Sequence, residues 1–433
     1  MRNMKESGHP WLGKIPANWD VVYPKMLFAQ RKDRAQQTDR QLTASQQHGV
    51  VYQDEYMELT GARVVVVEKD FDILKHVEKG DFVISMRSFQ GGIEYSDNTG
   101  CISSAYVMLI PKKEYVHNRY FKWLLKSSTY ISALQSTSNL VRDGQAMRYA
   151  NFIQVWLPLI PITEQVAIAK ILDKKCLEVD TLVANVHAQI EKLKAYKQSL
   201  ITEIVTRGLD QTVPVKESGV DWIESIPQTW QISPLKTLFS FGKGLSITKE
   251  NLTETGIPVI SYGQIHAKWN TGVTTHAELF RFVSKEYLDS NPDSLVHKGD
   301  MIMADTSEDK EGCGNCAYID TDDTVFAGYH TIILKSLSKT NTKYLAYLFL
   351  TDHWRSQLRK QVSGVKLFSV SKRILGSTTV LIPDCAEEIV AYLDDKCSQI
   401  DALIQIKQAK IEKLEKYKKS IIYEYVTGKK EVQ

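Results

Sequence analysis

The segment Ile190–Thr206 reads IEKLKAYKQSLITEIVT, and Ile411–Thr427 reads IEKLEKYKKSIIYEYVT, with eleven of the seventeen aligned positions identical. A second pair of segments repeats as well: KESGHPWLGKIPANWDVVYPKMLF, from Lys5 to Phe28, returns as KESGVDWIESIPQTWQISPLKTLF, from Lys216 to Phe239. The chain is a tandem duplication, and internal repeats of this kind govern the architecture before any local reading does. Between the repeated ends, Ala29 to about Val155 and Ser240 to about Thr379 align only at points such as Gly80-Asp81 against Gly299-Asp300. A frame written twice around two unlike middles predicts one scaffold that presents two different surfaces.

Each copy ends in a helical pattern. From Glu164 the apolar residues Ile168, Leu172, Val179, Leu182, Val186, Ile190, Leu193, Leu200 and Ile204 recur mostly three, four or seven apart, the stripe of a long amphipathic helix. Pro158 and Pro161 precede it and Gly208 follows, as start and stop signals. Ile389, Leu393, Ile400, Leu403, Ile411, Leu414 and Ile421 repeat the rhythm over about Ala386 to Val426. Neither helix hides its stripe alone, so the two are expected to pack on each other, antiparallel.

The middles carry short runs suited to strands: Arg63–Val67, Phe82–Met86 and Ala105–Ile110 in the first, Pro258–Tyr262, Asp300–Ala304 and Thr331–Leu334 in the second. Tyr120–Leu134 and Thr342–Leu358 have helical spacing. The expected fold is α+β: two globular domains (1–155 and 209–383) alternate with two long helices (156–208 and 384–433). The helices pair as an antiparallel coiled coil in an internal pseudo-two-fold repeat.

Composition limits the function classes. No run of eighteen apolar residues or signal-peptide pattern occurs, so a cytoplasmic protein without membrane partners is expected. The net charge of +3 is only weakly basic, so the placement of the cations matters more than their sum. Six cysteines fit a reducing compartment. Cys313-Gly314-Asn315-Cys316 has zinc-like spacing but lacks a second pair, and no metal site is expected.

Catalytic motifs are missing. None of the pairs Gly13-Lys14, Gly242-Lys243 and Gly428-Lys429 continues as a Walker A loop, and Asn291-Pro292 is followed by Asp293-Ser294 rather than by the Pro-aromatic of an amino-methyltransferase. Pro383-Asp384 with Asp394-Asp395-Lys396 has the outline of a metal-nuclease motif, but its second half falls on the long helix. No catalytic residues are expected.

Contacts to DNA are the better-supported chemistry. Met86-Arg87-Ser88-Phe89-Gln90-Gly91-Gly92 closes a strand with an Arg that suits guanine and a Gln that suits adenine. Its counterpart runs from Ala304 through Asp305, Ser307 and Lys310, where acids accept from cytosine amino groups. Arg31, Lys32, Arg34, Arg142, Arg148, Arg355, Arg359, Lys366, Lys372 and Arg373 are candidates for phosphate contacts. Two other readings of these residues are a structural adaptor that binds only proteins and a stand-alone nuclease.

Taken together, the chain resembles the DNA-specificity subunit of type I restriction-modification systems. The resemblance spans nearly the whole length. It rests on the doubled SGxxWxxxIPxxW opening (Ser7–Trp19, Ser218–Trp230), on GDFVISMRSFQGGI and GDMIMADTSEDKEGCGN, on the lead-ins LPLIPITEQ and VLIPDCAEE, and on the two helix endings. The second lead-in departs from the commoner Glu-Gln form at Asp384–Glu388. The resemblance implies a non-catalytic chain with two target-recognition domains, each reading half of a bipartite double-stranded DNA site, and a helical spacer that docks two methyltransferase subunits. S-adenosylmethionine, ATP and Mg are then expected on partner subunits, the last two with a restriction motor, and no cofactor on this chain.

Overall fold

The computed structural model describes residues 2–67, 71–137, 147–337, 341–364 and 366–432. Its contacts divide the chain into two compact units, one of Met1–His187 with Gln408–Gln433, the other of Ala188–Lys407. The first is assembled from both ends of the chain and the second from one continuous run.

The predicted helices are present as α1 (Ile162–Arg207) and α2 (Ala386–Val426). In the first unit Ile168, Leu172 and Cys176 of α1 share a core with Ile421, Tyr425 and Val426 of α2. In the second, Leu200, Ile204 and Val205 of α1 share a core with Ile389, Leu393, Cys397 and Ile400 of α2. In each unit the start of one helix meets the end of the other, so the pair is antiparallel. Burying each of these aliphatic side chains contributes about 1.5–3 kcal/mol, while the ion pairs beside them, Lys418 to Asp180 and Lys197 to Asp401, each at 2.6 Å, add little energy in partial solvent and serve to fix register. Both pairs correspond under the shift that takes Ile190 to Ile411. Leu182 and Leu403 were expected within the buried stripe, yet each is 47% exposed. Their spacing allows either flank of the seam, and the partner helix leaves them outside.

Each unit also holds a four-stranded antiparallel sheet. In the first unit β1 (Phe28–Arg31), β2 (Phe82–Ile84), β3 (Glu94–Tyr95) and β4 (Val107–Pro111) lie in the order β1-β4-β2-β3. In the second, β5 (Phe239–Lys243), β6 (Met301–Ala304), β7 (Cys316–Tyr318) and β8 (Thr331–Ser336) lie in the order β5-β8-β6-β7. The duplication thus runs through the middles that the sequence comparison left unmatched. Buried strand residues such as Val, Ile, Leu and Met exchange freely at similar volume, so identity decays while the pattern survives. What differs is added around the frame: a hairpin of Leu42–Ser45 and Gly49–Tyr52 in the first unit, and a second four-stranded sheet centred on Ile257–Ile260 and Val325–Ala327 in the second.

Two details of the expected elements change. Each predicted single helix is broken at the same place, into Asn118–Leu124 and Ser128–Gln135, and into Thr342–Phe349 and Asp352–Arg359. The buried hydroxyls of Ser127 and Thr351 donate to Leu124 O and Leu348 O at 2.7 Å, a local bond that competes with helix continuation. The run Arg63–Val67 forms no strand. Val65 and Val66 are exposed, and Val67 exchanges its backbone bonds with the Gln41 side chain (2.8 and 2.9 Å).

The repeated openings are hairpins, Met4–Glu6 with Lys14–Pro16 and Val215–Val220 with Ile223–Pro227. A tyrosine on the short helix after each sheet closes a long-helix end: Tyr120 Oη donates to Val426 O (2.7 Å) and Tyr344 Oη to Val205 O (2.8 Å), capping carbonyls that a helix end leaves unsatisfied.

Candidate nucleic-acid interface

In both units the Gly-Asp turn before the second sheet strand is tied down by its acid. Asp81 Oδ2 accepts from the Glu78 amide (3.0 Å) and Asp300 Oδ2 from the His297 amide (2.9 Å). The strand is thereby aimed, and the segment after it becomes the variable surface.

In the first unit that segment is a single helical turn, Ser88–Gly91. Ser88 is buried and its Oγ accepts from the Ser85 amide (2.9 Å), so it builds the turn. Arg87 and Gln90 project as exposed side chains. Gly92 follows at φ +84°, where a Cβ would stand 2.5 Å from Leu125 O. This close approach locks the turn onto the helix behind it. Arg31 is committed to the scaffold: its guanidinium bonds Asp81 (2.6 and 3.0 Å) and Asp33 (2.9 Å), and Asp81 holds it above its ordinary pKa. Lys32 is exposed, Arg34 is exposed while donating to Ile73 O (3.1 Å), and Arg148 is exposed at the start of a short helix, Tyr149–Phe152. Arg142 lies outside the described residues.

In the second unit the same position opens into an acidic cleft of about 720 Å³, lined by Ser307, Glu308, Asp309, Glu311, Tyr262 and His330 among others. Asp305 accepts from its neighbour's hydroxyl, Thr306 Oγ1 (2.7 Å), and stands 3.4 Å from His330 Nδ1. Ser307 is buried in a short strand paired with Phe368–Ser369, and Lys310 reaches over the Phe368 ring. Arg355 and Arg359 point inward to the backbone of this loop. Arg355 donates to Phe349 O (2.6 Å) and Glu311 O (3.3 Å), and Arg359 to Lys310 O (3.2 Å) and Glu311 O (3.0 Å). Burial lowers the Arg355 pKa. Lys366 and Arg373 are exposed, whereas Lys372 donates to Phe241 O (3.0 Å).

Sequence reasoning missed Tyr262, His266, Asn315 and His330. The His266 ring lies 3.0 Å from Asn315 Nδ2 through Nδ1 and 2.8 Å from Thr306 O through Nε2, which fixes its orientation. Tyr262 meets the rings of His266, Tyr329 and His330 edge-on. Among the described residues His330 is the one non-glycine at positive φ, +55°. None of these carries a motif, and the sheet return brings them to the 305–312 loop.

The motif-like residues set aside in the sequence are engaged otherwise. Asp394 bonds Lys343 Nζ (2.8 Å) and Tyr347 Oη (2.7 Å), and its repeat counterpart Asp173 bonds Arg119 (2.7 Å) and Trp123 Nε1 (2.9 Å). Both acids thus join a long helix to the helix packed on it. Cys313 and Cys316 are buried, and burial pushes the Cys316 thiol up to about 11. Among the described residues no group of three or more His, Cys, Asp or Glu is placed to hold a metal ion, and no helix is long and apolar enough to cross a membrane.

Residues 227–416 match the family model described as the type I restriction modification DNA specificity domain. The chain is 23% identical over 434 residues to the type I restriction enzyme MjaVIII specificity subunit of Methanocaldococcus jannaschii, covering 96% of this chain and 94% of that one. It is 21% identical over 449 residues to the putative MjaX specificity subunit of the same organism, covering 96% and 95%. Two solved structures share the fold. One belongs to work on complex assembly and conformational transition of the type I R-M system (TM-score 0.70, 13% identity, 95% of this chain and 98% of that one). The other is the HsdS subunit of Thermoanaerobacter tengcongensis (TM-score 0.51, 14% identity, 96% and 98%). The chain is thus similar to type I specificity subunits along nearly its whole length, and matches their DNA specificity domain over 227–416.

Proposed function

We propose that the two units read the two halves of one bipartite DNA site, with 1–155 and 209–383 as the target-recognition domains. The observation that carries this is the shared four-strand frame ending in a basic turn at Arg87–Gln90 in one unit and in a cleft lined by Glu308, Asp309 and Glu311 in the other. Exposed Arg87 and Gln90 suit guanine and adenine edges, whereas carboxylates suit the amino groups of cytosine. Lys32, Arg34, Arg148, Lys366 and Arg373 are left to hold phosphates and set register, and Arg142 is assigned with them from sequence. Arg31, Ser88, Ser307 and Lys372 support these surfaces from behind.

The paired helices set the gap between half-sites and dock two methyltransferase subunits. S-adenosylmethionine belongs to those subunits, and ATP and Mg to a restriction motor, in a cytoplasmic complex. The test is a methylation map from a methylation-free host expressing this chain with a cognate methyltransferase. Replacing Arg87 and Gln90 by Ala relaxes only one half-site, by about 1–3 kcal/mol of discrimination per base pair. A four-residue insertion between Val179 and Ile190, matched by four in α2 to keep the pairing, lengthens the helices by about 6 Å and widens the gap with both half-sites unchanged. Altered half-sites at constant gap overturn the spacer reading.

A further inference from the structure

The hairpin that the first unit adds to the shared frame ends over the Arg87–Gln90 turn. A Cβ on Gly91 would stand 2.4 Å from Gln46 Cγ and 2.8 Å from Gln46 Nε2, so the Gln46 side chain lies across the backbone one residue from Gln90. Ser45 Oγ accepts from the backbone amides of Gln47 and His48 (3.3 Å each), which closes the tip. Asn98 Nδ2 donates to Val50 O (3.0 Å), which ties the returning strand to the loop after β3. Gln46, Gln47 and His48 are all exposed. The His48 ring meets Tyr56 edge-on, whereas the side-chain amides of Gln46 and Gln47 form no hydrogen bond among the described residues.

Lys126, in the break between the two short helices, holds this tip in place. Its Nζ donates to Gln46 O (3.0 Å) and to both carboxylate oxygens of buried Glu94 on β3 (2.9 and 2.7 Å). The second unit has the same frame and the same break, yet Leu350 stands for Lys126 and Ala317 for Glu94. The frame therefore folds without a charge at either place, and taking a carboxylate out of water is costly. The ion pair occurs in the unit that carries the hairpin, and what it adds there is the bond to Gln46 O. Its donors are spent on these oxygens, so its charge is directed at Glu94 and not at a phosphate.

We propose that the hairpin tip is a second reading element of the first unit. Gln46 and Gln47 are specificity-determining residues that meet adenine edges beside the base pairs met by Arg87 and Gln90, and Lys126 is their positioning residue. A side-chain amide both donates and accepts, which matches N7 and the N6 amino group of adenine in the major groove. The inference rests on the reading of 1–155 as a target-recognition domain.

The test is a methylation map from a methylation-free host expressing the full chain with a cognate methyltransferase. With Gln46→Ala and Gln47→Ala together, discrimination falls by about 5- to 150-fold at A·T pairs next to those relaxed by Arg87→Ala with Gln90→Ala. The gap and the other half-site stay as they are. Gly91→Ala, which crowds Gln46 and keeps Arg87 and Gln90, moves the same position and adds nothing in the Gln46→Ala background. Lys126→Met relaxes that position while sites of the wild-type sequence stay methylated, and Lys126→Arg keeps it. A motif unchanged by the two glutamine replacements overturns the proposal. So does a uniform loss of methylation across sequences, the mark of a phosphate contact or a damaged fold, and so does a Gly91→Ala effect that persists without Gln46. Relaxation by the Arg87 and Gln90 replacements but not by those at the tip strikes this proposal alone. A wild-type chain that directs no split motif overturns the reading of the domain and this proposal with it.

Discussion

The strand after Gly80-Asp81 and the strand after Gly299-Asp300 hold the same place in their sheets, between the same neighbours, and end in opposite chemistry. The first runs into a tight turn whose one buried hydroxyl, Ser88, leaves Arg87 and Gln90 free. The second runs into a longer loop whose backbone is held by Arg355 and Arg359 from within the domain, so its carboxylates face outward. The frame is fixed by burial and by capped helix ends, which keep the pattern of apolar volume while the identities drift. The loop is fixed by a handful of local bonds, which many sequences satisfy. That division lets the chemistry of the loop change without rebuilding the core.

The equivalence of the two frames is tested hardest at the helix ends. Gly428 has φ +70°, and a Cβ there would stand 2.5 Å from Pro16 and 2.8 Å from Trp19, while Gly208, at φ +82°, meets Trp230 only at 3.3 Å. Both substitutions to Ala bring left-handed backbone strain of about 1–2 kcal/mol, and Gly428→Ala adds overpacking of about 1–3 kcal/mol. Hydrogen exchange resolved by unit should show the larger loss in the first unit for Gly428→Ala and the smaller in the second for Gly208→Ala. Equal losses would deny that the two ends are packed differently.

At the next level the frames should behave alike. Tyr120→Phe and Tyr344→Phe each leave a buried helix-end carbonyl without its donor, at about 1–3 kcal/mol. Denaturant unfolding followed in each unit should give matching losses. A clear loss in one and none in the other would break the equivalence of the closures.

The smallest effect separates the units by pH. Buried His76 lies 2.7 Å from Asp39 and 3.0 Å from Glu78, and Leu295 takes its position in the second unit. Burial disfavours the imidazolium, but the bonds to Asp39 and Glu78 outweigh it and hold His76 above its ordinary value of 6.5. A raised folded pKa gives stability that is full below 6.5 and is lost as pH rises through the raised value. Exchange protection of the first unit should therefore fall as pH rises from 6.5 through that value, after correction for intrinsic rates, and His76→Gln should flatten the dependence. A matching fall in the second unit would assign the effect to other groups.

Much of the site's support lay beyond sequence reading. Arg87 and Arg31 look alike as cations near strand ends, yet Arg87 is free and Arg31 is bound between two carboxylates. The difference depends on Asp81, fifty residues away. Tyr262 and His330 reach the 305–312 loop only because the strands before them, Ile257–Ile260 and Val325–Ala327, pair in parallel. That contact leaves no periodicity in either segment.

By itself the sequence determined the duplication, the two long helices and their antiparallel pairing, because a stripe repeated over forty residues has one way to be buried and its twin is the available partner. The tertiary structure decided that the duplication continues through the dissimilar middles, that Leu182 and Leu403 stay on the surface, and which cations remain free. The reason is physical: periodicity is a property of neighbours along the chain, whereas which flank of a seam is covered and which charge finds a partner depend on groups that only folding brings together.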